Sequence, residues 1–324
     1  MKNFLNILSL PRLDAAQLLI RAKTMKETDF RSDLLGGKTV VLIFEKASTR
    51  TRVSFEVAVR HLGGSTIYLT TGDSQLGRSE PLEDTARVLS RYCDAIVIRT
   101  FGQQKVDTLA RAGTIPVVNA LTDEYHPCQV MSDMLTIYER TPNLKDLKVA
   151  WIGDGNNMAH SWINAAVYFP FQLTLAFPEG YEPNRDVLDN ALKLGAKISL
   201  THDPRVAIEG AHYVNTDVWA SMGQEEEQKR REKAFTGFCV DEELMVHADP
   251  DAKFMHCLPA HRGEEVSEAV FEGPASIVFD QAENRLHMQK AILEWVLQGI
   301  EVDRDAAEQL LNPIPRAAGL HPAV

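Results

Sequence analysis

FEKASTRTRVSFEVAVRHLGG, residues 44–64, carries the end of an apolar, β-branched stretch (KTVVLIFE, 38–45) into a pattern of helical periodicity. Val53, Val57, Ala58 and Leu62 fall on one helical face and Gly63-Gly64 supply the stop, so the spacing predicts a strand followed by a helix beginning at Ser48. That start holds Ser48, Thr49, Arg50, Thr51 and Arg52, three hydroxyls and two guanidiniums in five consecutive positions. Backbone N–H groups in a first turn lack intrahelical partners and the helix dipole is positive there. Hydroxyls and a guanidinium at such a place form a receptor for a phosphate-like dianion. The plainer reading of the same residues is an N-cap serine with two surface arginines.

The strand-then-helix pattern recurs along the chain. Apolar runs at STIYLT (65–70), DAIVIRT (94–100), IPVVNAL (115–121), KVAWIGD (148–154), LTLAFP (173–178), KISLTH (197–202), AHYVNTDVW (211–219), KFMHCLP (253–259) and SIVFD (276–280) are predicted strands separated by helical patterns. Such interleaving implies an α/β fold with parallel sheets covered by helices on both faces. A composition break at ERTPNLKDLK (139–148) divides the chain into two doubly wound parallel-sheet domains, 1–143 and 144–286. ENRLHMQKAILEWVLQGI (283–300) places Leu286, Ile292, Leu293, Val296 and Leu297 at helical spacing, GQEEEQKRREKAF (223–235) reads as a solvated helix, and the Pro-rich tail 312–324 as irregular.

With 34 basic against 45 acidic residues the net charge is −11, which argues against a nucleic-acid or anionic-membrane surface and leaves room for a local basic pocket. Cys93, Cys128, Cys239 and Cys257 form no CxxC pair and no regular spacing, so neither a zinc ribbon nor a disulfide framework is expected and a reducing, cytoplasmic compartment fits. Pro11 and Asp14 interrupt the apolar start before a secretory h-region develops, and no run approaches ~20 apolar residues, so no membrane span is expected.

Five further stretches carry chemistry. Arg99 ends the strand DAIVIR, at the rim where open α/β sheets bind ligands. EYHPCQVMSDMLTI (124–137) sets His126 and Gln129 ahead of an apolar helix with Pro127 in its first turn; both suit an amide-like substrate, and His126 equally suits a capping role. AWIGDGNNMAHSW (150–162) has Gly153 and Gly155 after a strand, but Met158 holds the third glycine position of a dinucleotide turn, and Asn156-Asn157 suggest hydrogen bonding to a polar small molecule. TDVWASMG (216–223) places Asp217 at a strand end to receive an ammonium, with a loop whose N–H groups can take a carboxylate. FMHCLPAHRGEEV (254–266) puts Cys257 at another strand end; the trio His256, Cys257 and His261 lacks a fourth metal ligand, so no metal site is assigned.

Ser48-Thr49-Arg50-Thr51-Arg52, His126-Pro127-Cys128-Gln129 and His256-Cys257-Leu258-Pro259, in this order, resemble the carbamoyltransferase family over nearly the whole chain. DVWASMG and GDGNNMAHS resemble the segments of its ornithine-specific members. The resemblance implies transfer of the carbamoyl group of carbamoyl phosphate to the δ-amine of L-ornithine, giving L-citrulline and phosphate, in arginine biosynthesis and without cofactor or metal. It also implies that Ser48, Thr49, Arg50, Thr51, Gln75, Arg99, His126, Gln129, Cys257, Leu258 and Arg285 hold carbamoyl phosphate, and that Asn157, Asp217, Ser221 and Met222 hold ornithine. Arg99, His126 and Cys257 take the chemical roles. A homotrimer is implied, with 1–143 binding carbamoyl phosphate, 144–286 binding ornithine, and the C-terminal helix (~287–324) packing back on the first domain. The rival readings are a nicotinamide-dependent oxidoreductase, resting on Gly153-x-Gly155 and Glu179, and a non-catalytic metabolite-binding protein of the same fold.

Overall fold

The computed structural model describes residues 2–70, 80–220 and 227–312. Its first half runs through α1 (Arg12–Glu27), β1 (Thr39–Phe44), α2 (Thr49–His61), β2 (Ser65–Thr70), α3 (Leu82–Tyr92), β3 (Ala95–Arg99), α4 (Gln103–Ala112), β4 (Val117–Leu121) and α5 (Pro127–Arg140). The second half continues with β5 (Lys148–Ile152), α6 (Asn157–Tyr168), β6 (Gln172–Ala176), α7 (Arg185–Lys193), β7 (Ile198–Thr201), α8 (Pro204–Ile208), β8 (Tyr213–Thr216), α9 (Gln228–Ala234), α10 (Glu242–Met245), β9 (Lys253–His256), α11 (Glu268–Phe271), α12 (Val278–Leu297) and α13 (Arg304–Leu311).

The strands form two parallel sheets, ordered β2-β1-β3-β4 and β7-β6-β5-β8-β9. Both are doubly wound. In the first, the chain leaves β1 toward β2 and leaves β3 toward β4, so β1 and β3 flank the point where the winding reverses; in the second, β5 and β8 do. Ligands bind outside the carboxyl ends of strands at such points.

Strand residues alternate between two apolar clusters, which is why the runs read as continuously hydrophobic. Val40, Leu42 and Phe44 of β1 face the large shared core, whereas Val41 and Ile43 face a smaller one beneath α3 and α4. Val149 and Trp151 of β5 join the same shared core, and Ala150 and Ile152 turn to a cluster with Phe235, Phe254 and Phe271. One core therefore runs through both halves, carried by α1, α5, α6 and α12.

Two sequence expectations are corrected. SIVFD (276–280) is not a strand: Ser276 makes an isolated bridge to Phe254, and α12 begins at Val278, ahead of the expected 283. Val278, Gln281, Arg285 and Met288 are all buried at helical spacing, and a short apolar run cannot be told from the first turn of a buried helix by hydrophobicity alone. The described part of the charge run, 227–235, is solvated only on one side. Arg231, Phe235 and Phe238 turn inward at i, i+4, i+7, and Arg231 is 7% exposed. Its Nη1 donates to Asp154 Oδ2 (2.6 Å) and to the Trp219 carbonyl (2.8 Å), a buried charge matched by its partners.

α12 returns to the first half. Arg21 clamps Glu294 (2.7 and 2.9 Å), Lys290 Nζ donates to the Phe30 carbonyl (2.8 Å), and Trp295 Nε1 donates to Asp14 (2.6 Å). No helix among the described residues is long and apolar enough to cross a membrane.

Candidate active site

A cleft of ≈ 630 Å³ lies where the carboxyl ends of the strands of both sheets converge. β1 delivers Lys46 to Thr51, β3 delivers Arg99, and the segment after β4 delivers Asp123 and His126. From the second sheet come Asp154 and Asn156 to Met158 after β5, Asp217, Val218 and Ala220 after β8, and Cys257 to Pro259 after β9. Arg285 enters from α12.

Ser48 is the N-cap of α2 in extended conformation, and its Oγ accepts from the Thr51 N–H (3.2 Å). The N–H groups of Thr49 and Arg50, at the first turn, have no helical acceptor, and both residues line the cleft. Around this turn stand three guanidiniums. Nε of Arg50, of Arg99 and of Arg285 is buried with no protein partner, and so is Nδ1 of His126. Arg285 Nη2 donates to Thr51 Oγ1 (2.5 Å), which ties α12 to the head of α2.

The charges act on one another. Burial, then Arg285 and Arg50, lower Arg99 to about 10, so it stays cationic at neutrality. Arg285 is lowered by burial foremost. His126, 5% exposed, is held well below the ordinary imidazole range by burial and by the Arg285 and Arg99 charges, so it is neutral at pH 7. A neutral ring beside guanidiniums donates one hydrogen bond without adding charge.

The opposite wall is anionic. Asp217 Oδ1 accepts from the Val218 N–H (2.8 Å) and from Cys257 Sγ (3.1 Å), and Oδ2 accepts from Asn156 Nδ2 (3.1 Å). Burial, followed by Asp217, pushes the Cys257 thiol well above its ordinary value, so it is a protonated donor and not a thiolate nucleophile. Asn156 also caps α6 through Oδ1 to the Met158 and Ala159 N–H groups, while Asn157 Nδ2 reaches the Thr122 carbonyl (2.6 Å) across the two halves.

Behind Cys257 a buried pair sets the turn. Leu258 has φ 62, a left-handed conformation costly for a branched side chain, and its N–H donates to His256 Nδ1 (2.9 Å). The proton of His256 therefore resides on Nε2, which faces Glu265 Oε1 at 3.1 Å. Both ring nitrogens are committed.

Of the residues expected at the site, Ser48, Thr49, Arg50, Thr51, Arg99, His126, Asn157, Asp217, Cys257, Leu258 and Arg285 line this one cleft. Gln129 stands behind it on the first turn of α5; Nε2 donates to Asp133 (2.8 Å) and Oε1 is buried without a partner. Gln75, Ser221 and Met222 lie outside the described residues. Asn156, read from the sequence with Asn157 as a hydrogen-bonding residue, reaches Asp217, while Lys46 paired with Asp123, the Arg231–Asp154 pair, Asp133 and Gln281 join this neighbourhood without having been singled out for it. Two of them left a signal in the sequence: Asp133 is a carboxylate four residues after Gln129 within a largely apolar helical pattern, and Arg231 is in helical register with Phe235 and Phe238.

The dinucleotide reading fails on geometry. At Gly155 a Cβ would come within 2.2 Å of Pro183 N, and its N–H donates to the Tyr181 carbonyl (2.9 Å). Chain 181–183 fills the space in which a Rossmann glycine would admit a pyrophosphate.

Residues 2–139 match the model of the carbamoyl-P binding domain of the aspartate/ornithine carbamoyltransferases, and residues 145–296 match that of the Asp/Orn binding domain. The ornithine carbamoyltransferase of Oleidesulfovibrio alaskensis is 69% identical over 298 residues, covering 92% of this chain and 99% of the relative. That of Nitratidesulfovibrio vulgaris is 72% identical over 295 residues, 91% of this chain and 98% of the relative. The ornithine carbamoyltransferase structure from Pyrococcus furiosus superposes with a TM-score of 0.88 at 48% identity, covering 93% of this chain and 98% of that one. With both halves matched in order and the cationic and anionic walls meeting between them, the chain belongs to the aspartate/ornithine carbamoyltransferase family.

Proposed function

We propose that this protein transfers the carbamoyl group of carbamoyl phosphate to the δ-amine of L-ornithine, yielding L-citrulline and phosphate. The observation that carries the reading is the set of buried, unpartnered donors of Arg50, Arg99, Arg285 and His126 around the head of α2. Three cations at mutual electrostatic cost are relieved by a dianion, and a bound anion is what such an arrangement is suited to receive.

In this reading the phosphate rests on the first-turn N–H groups and hydroxyls of Ser48, Thr49 and Thr51, with Arg50 and Arg99 on its oxygens. Arg99 and neutral His126 donate to the carbonyl oxygen as it gains charge in the tetrahedral intermediate. Gln129, the backbone at Cys257 and Leu258, and Arg285 hold the carbamoyl end, and Gln75 adds a further contact. Asp217 receives the ornithine ammonium, with Asn157, Ser221 and Met222 around the amino-acid end. Residues 1–143, with the C-terminal helix, form the carbamoyl phosphate half and 144–286 the ornithine half. The family relationship supports a cytoplasmic homotrimer acting in arginine biosynthesis.

The attacking amine sets the pH dependence. Its free pKa resembles that of lysine, ~10.4, so only about one molecule in 10³ is nucleophilic near neutrality. His126 is neutral throughout and the Cys257 thiol stays protonated, so neither adds an inflection between pH 6 and 9. The expected result is a kcat/KM for ornithine that rises about tenfold per pH unit from pH 6 to about 8 and then levels as the α-ammonium that Asp217 receives loses its proton. Carbamoyl phosphate use falls where Arg99 loses its proton, near 10 in the unliganded protein. A flat profile from pH 6 to 9 contradicts this account of the nucleophile.

The deciding experiment measures carbamoyl transfer to ornithine, putrescine, aspartate and N-acetylornithine. Asp217 beside Cys257 favours a free α-ammonium over the amide of N-acetylornithine, and the carboxylate-binding role given to the loop after it separates ornithine from putrescine, so citrulline formation from ornithine should exceed transfer to each other acceptor by at least about 10²-fold. Preference for any other acceptor overturns the assignment.

A further inference from the structure

Behind the cleft, a chain of side-chain amides has its direction fixed by one group that can only donate. The His256 backbone N–H meets Gln281 Oε1 at 2.8 Å. Gln281 must then offer its nitrogen at the other end, and Nε2 donates to Asp133 Oδ1 at 2.7 Å. Gln129 reaches the same oxygen from one turn earlier on α5, at 2.8 Å.

We propose that Asp133 is a positioning residue: it turns the Gln129 amide so that its oxygen, and not its nitrogen, is presented to the carbamoyl group. This rests on the reading of Gln129 as a ligand of that group. Asp133 and Gln281 are fully buried, and Gln129 is 1% exposed, so no solvent competes for these bonds. With two donors on Oδ1, any proton the carboxyl takes up belongs on Oδ2, which has no partner. Oδ1 is an acceptor in either state, and the polarity does not depend on protonation.

The consequence is selectivity at the acyl position. Gln129 Oε1 is left as a buried acceptor with no protein donor. A carbamoyl NH₂ satisfies it; the methyl of an acetyl phosphate leaves it unpaired, and a carbonyl oxygen turned toward it is repelled. The same relay holds the backbone of His256, next to Cys257 and Leu258, so one carboxyl orients both sides of the proposed carbamoyl pocket.

The test compares Asp133→Asn, which keeps an acceptor oxygen at Oδ1, with Asp133→Leu, which has none. Steady-state KM is measured for carbamoyl phosphate and for ornithine, along with inhibition by acetyl phosphate. Asp133→Asn should leave KM for carbamoyl phosphate within about threefold of the parent. Asp133→Leu should raise it about tenfold or more, leave KM for ornithine within about twofold, and narrow the preference for carbamoyl over acetyl phosphate by about fivefold or more. A tenfold penalty in Asp133→Asn, or a folded Asp133→Leu with unchanged KM for carbamoyl phosphate, overturns the proposal. The near-isosteric Asn variant keeps the proposal open to refutation even if the Leu variant does not fold. Gln129→Ala separates the layers: if it leaves KM for carbamoyl phosphate unchanged, the reading of Gln129 falls; if it raises KM while Asp133→Leu does not, only the role of Asp133 falls.

Discussion

Replacing Arg99 by alanine is expected to lower kcat/KM for carbamoyl phosphate by about 10²- to 10³-fold, the effect of removing one preorganised donor from a developing oxyanion in a desolvated site. Arg99 ends β3 at the winding reversal of the first sheet, beside Arg285 and Arg50, and its Nε has no protein partner. Arginine there is costly to the unliganded fold, since burial and the neighbouring cations lower its basicity to about 10. The alanine variant should therefore lose activity with no loss of thermal stability in the absence of ligand, which separates a functional arginine from a structural one. Arg99→Lys should recover only part of the activity, because an ammonium keeps the charge but not the planar fork. Near-parental kcat/KM in Arg99→Ala would remove the phosphate and carbonyl roles assigned to it.

The second large effect is at the opposite wall. Asp217→Ala should reduce kcat/KM for ornithine by about 10²- to 10³-fold, the consequence of losing a charge-assisted contact in a largely buried position. Affinity for carbamoyl phosphate should stay within about threefold, since its phosphate is assigned to the head of α2 and Asp217 meets the carbamoyl side only through the Cys257 side chain, not through the backbone assigned there. Asp217→Asn keeps the shape but not the charge, and should be nearly as impaired. Ornithine kinetics, together with carbamoyl phosphate binding followed by ligand-induced thermal shift, distinguish the cases. Loss of carbamoyl phosphate binding with ornithine use intact would reverse the assignment.

The prominent motifs could be read from the chain because each is a run of neighbours with a local physical cause. Ser48 to Arg52 is a helix start, His126-Pro127 another, and Cys257 a strand end, all decided by residues within one turn of each other. Val278 could not be assigned that way, since whether an apolar run extends or coils depended on the buried face formed with Gln281, Arg285 and Met288. Arg231 was hidden in a charge run because its partners, Asp154 and Trp219, come from other strand ends.

From the sequence alone came the α/β class, the two halves, and the residue types able to hold a phosphate, a carbonyl and an ammonium, because periodicity and capping are local properties of the chain. The tertiary structure decided which donors are left unpartnered, that His126 is neutral and Cys257 a thiol, and that Asp133 commits Gln129 Nε2. Those properties arise when groups from separate strands and helices are brought out of water together, and burial and proximity between distant residues cannot be read from spacing along the chain.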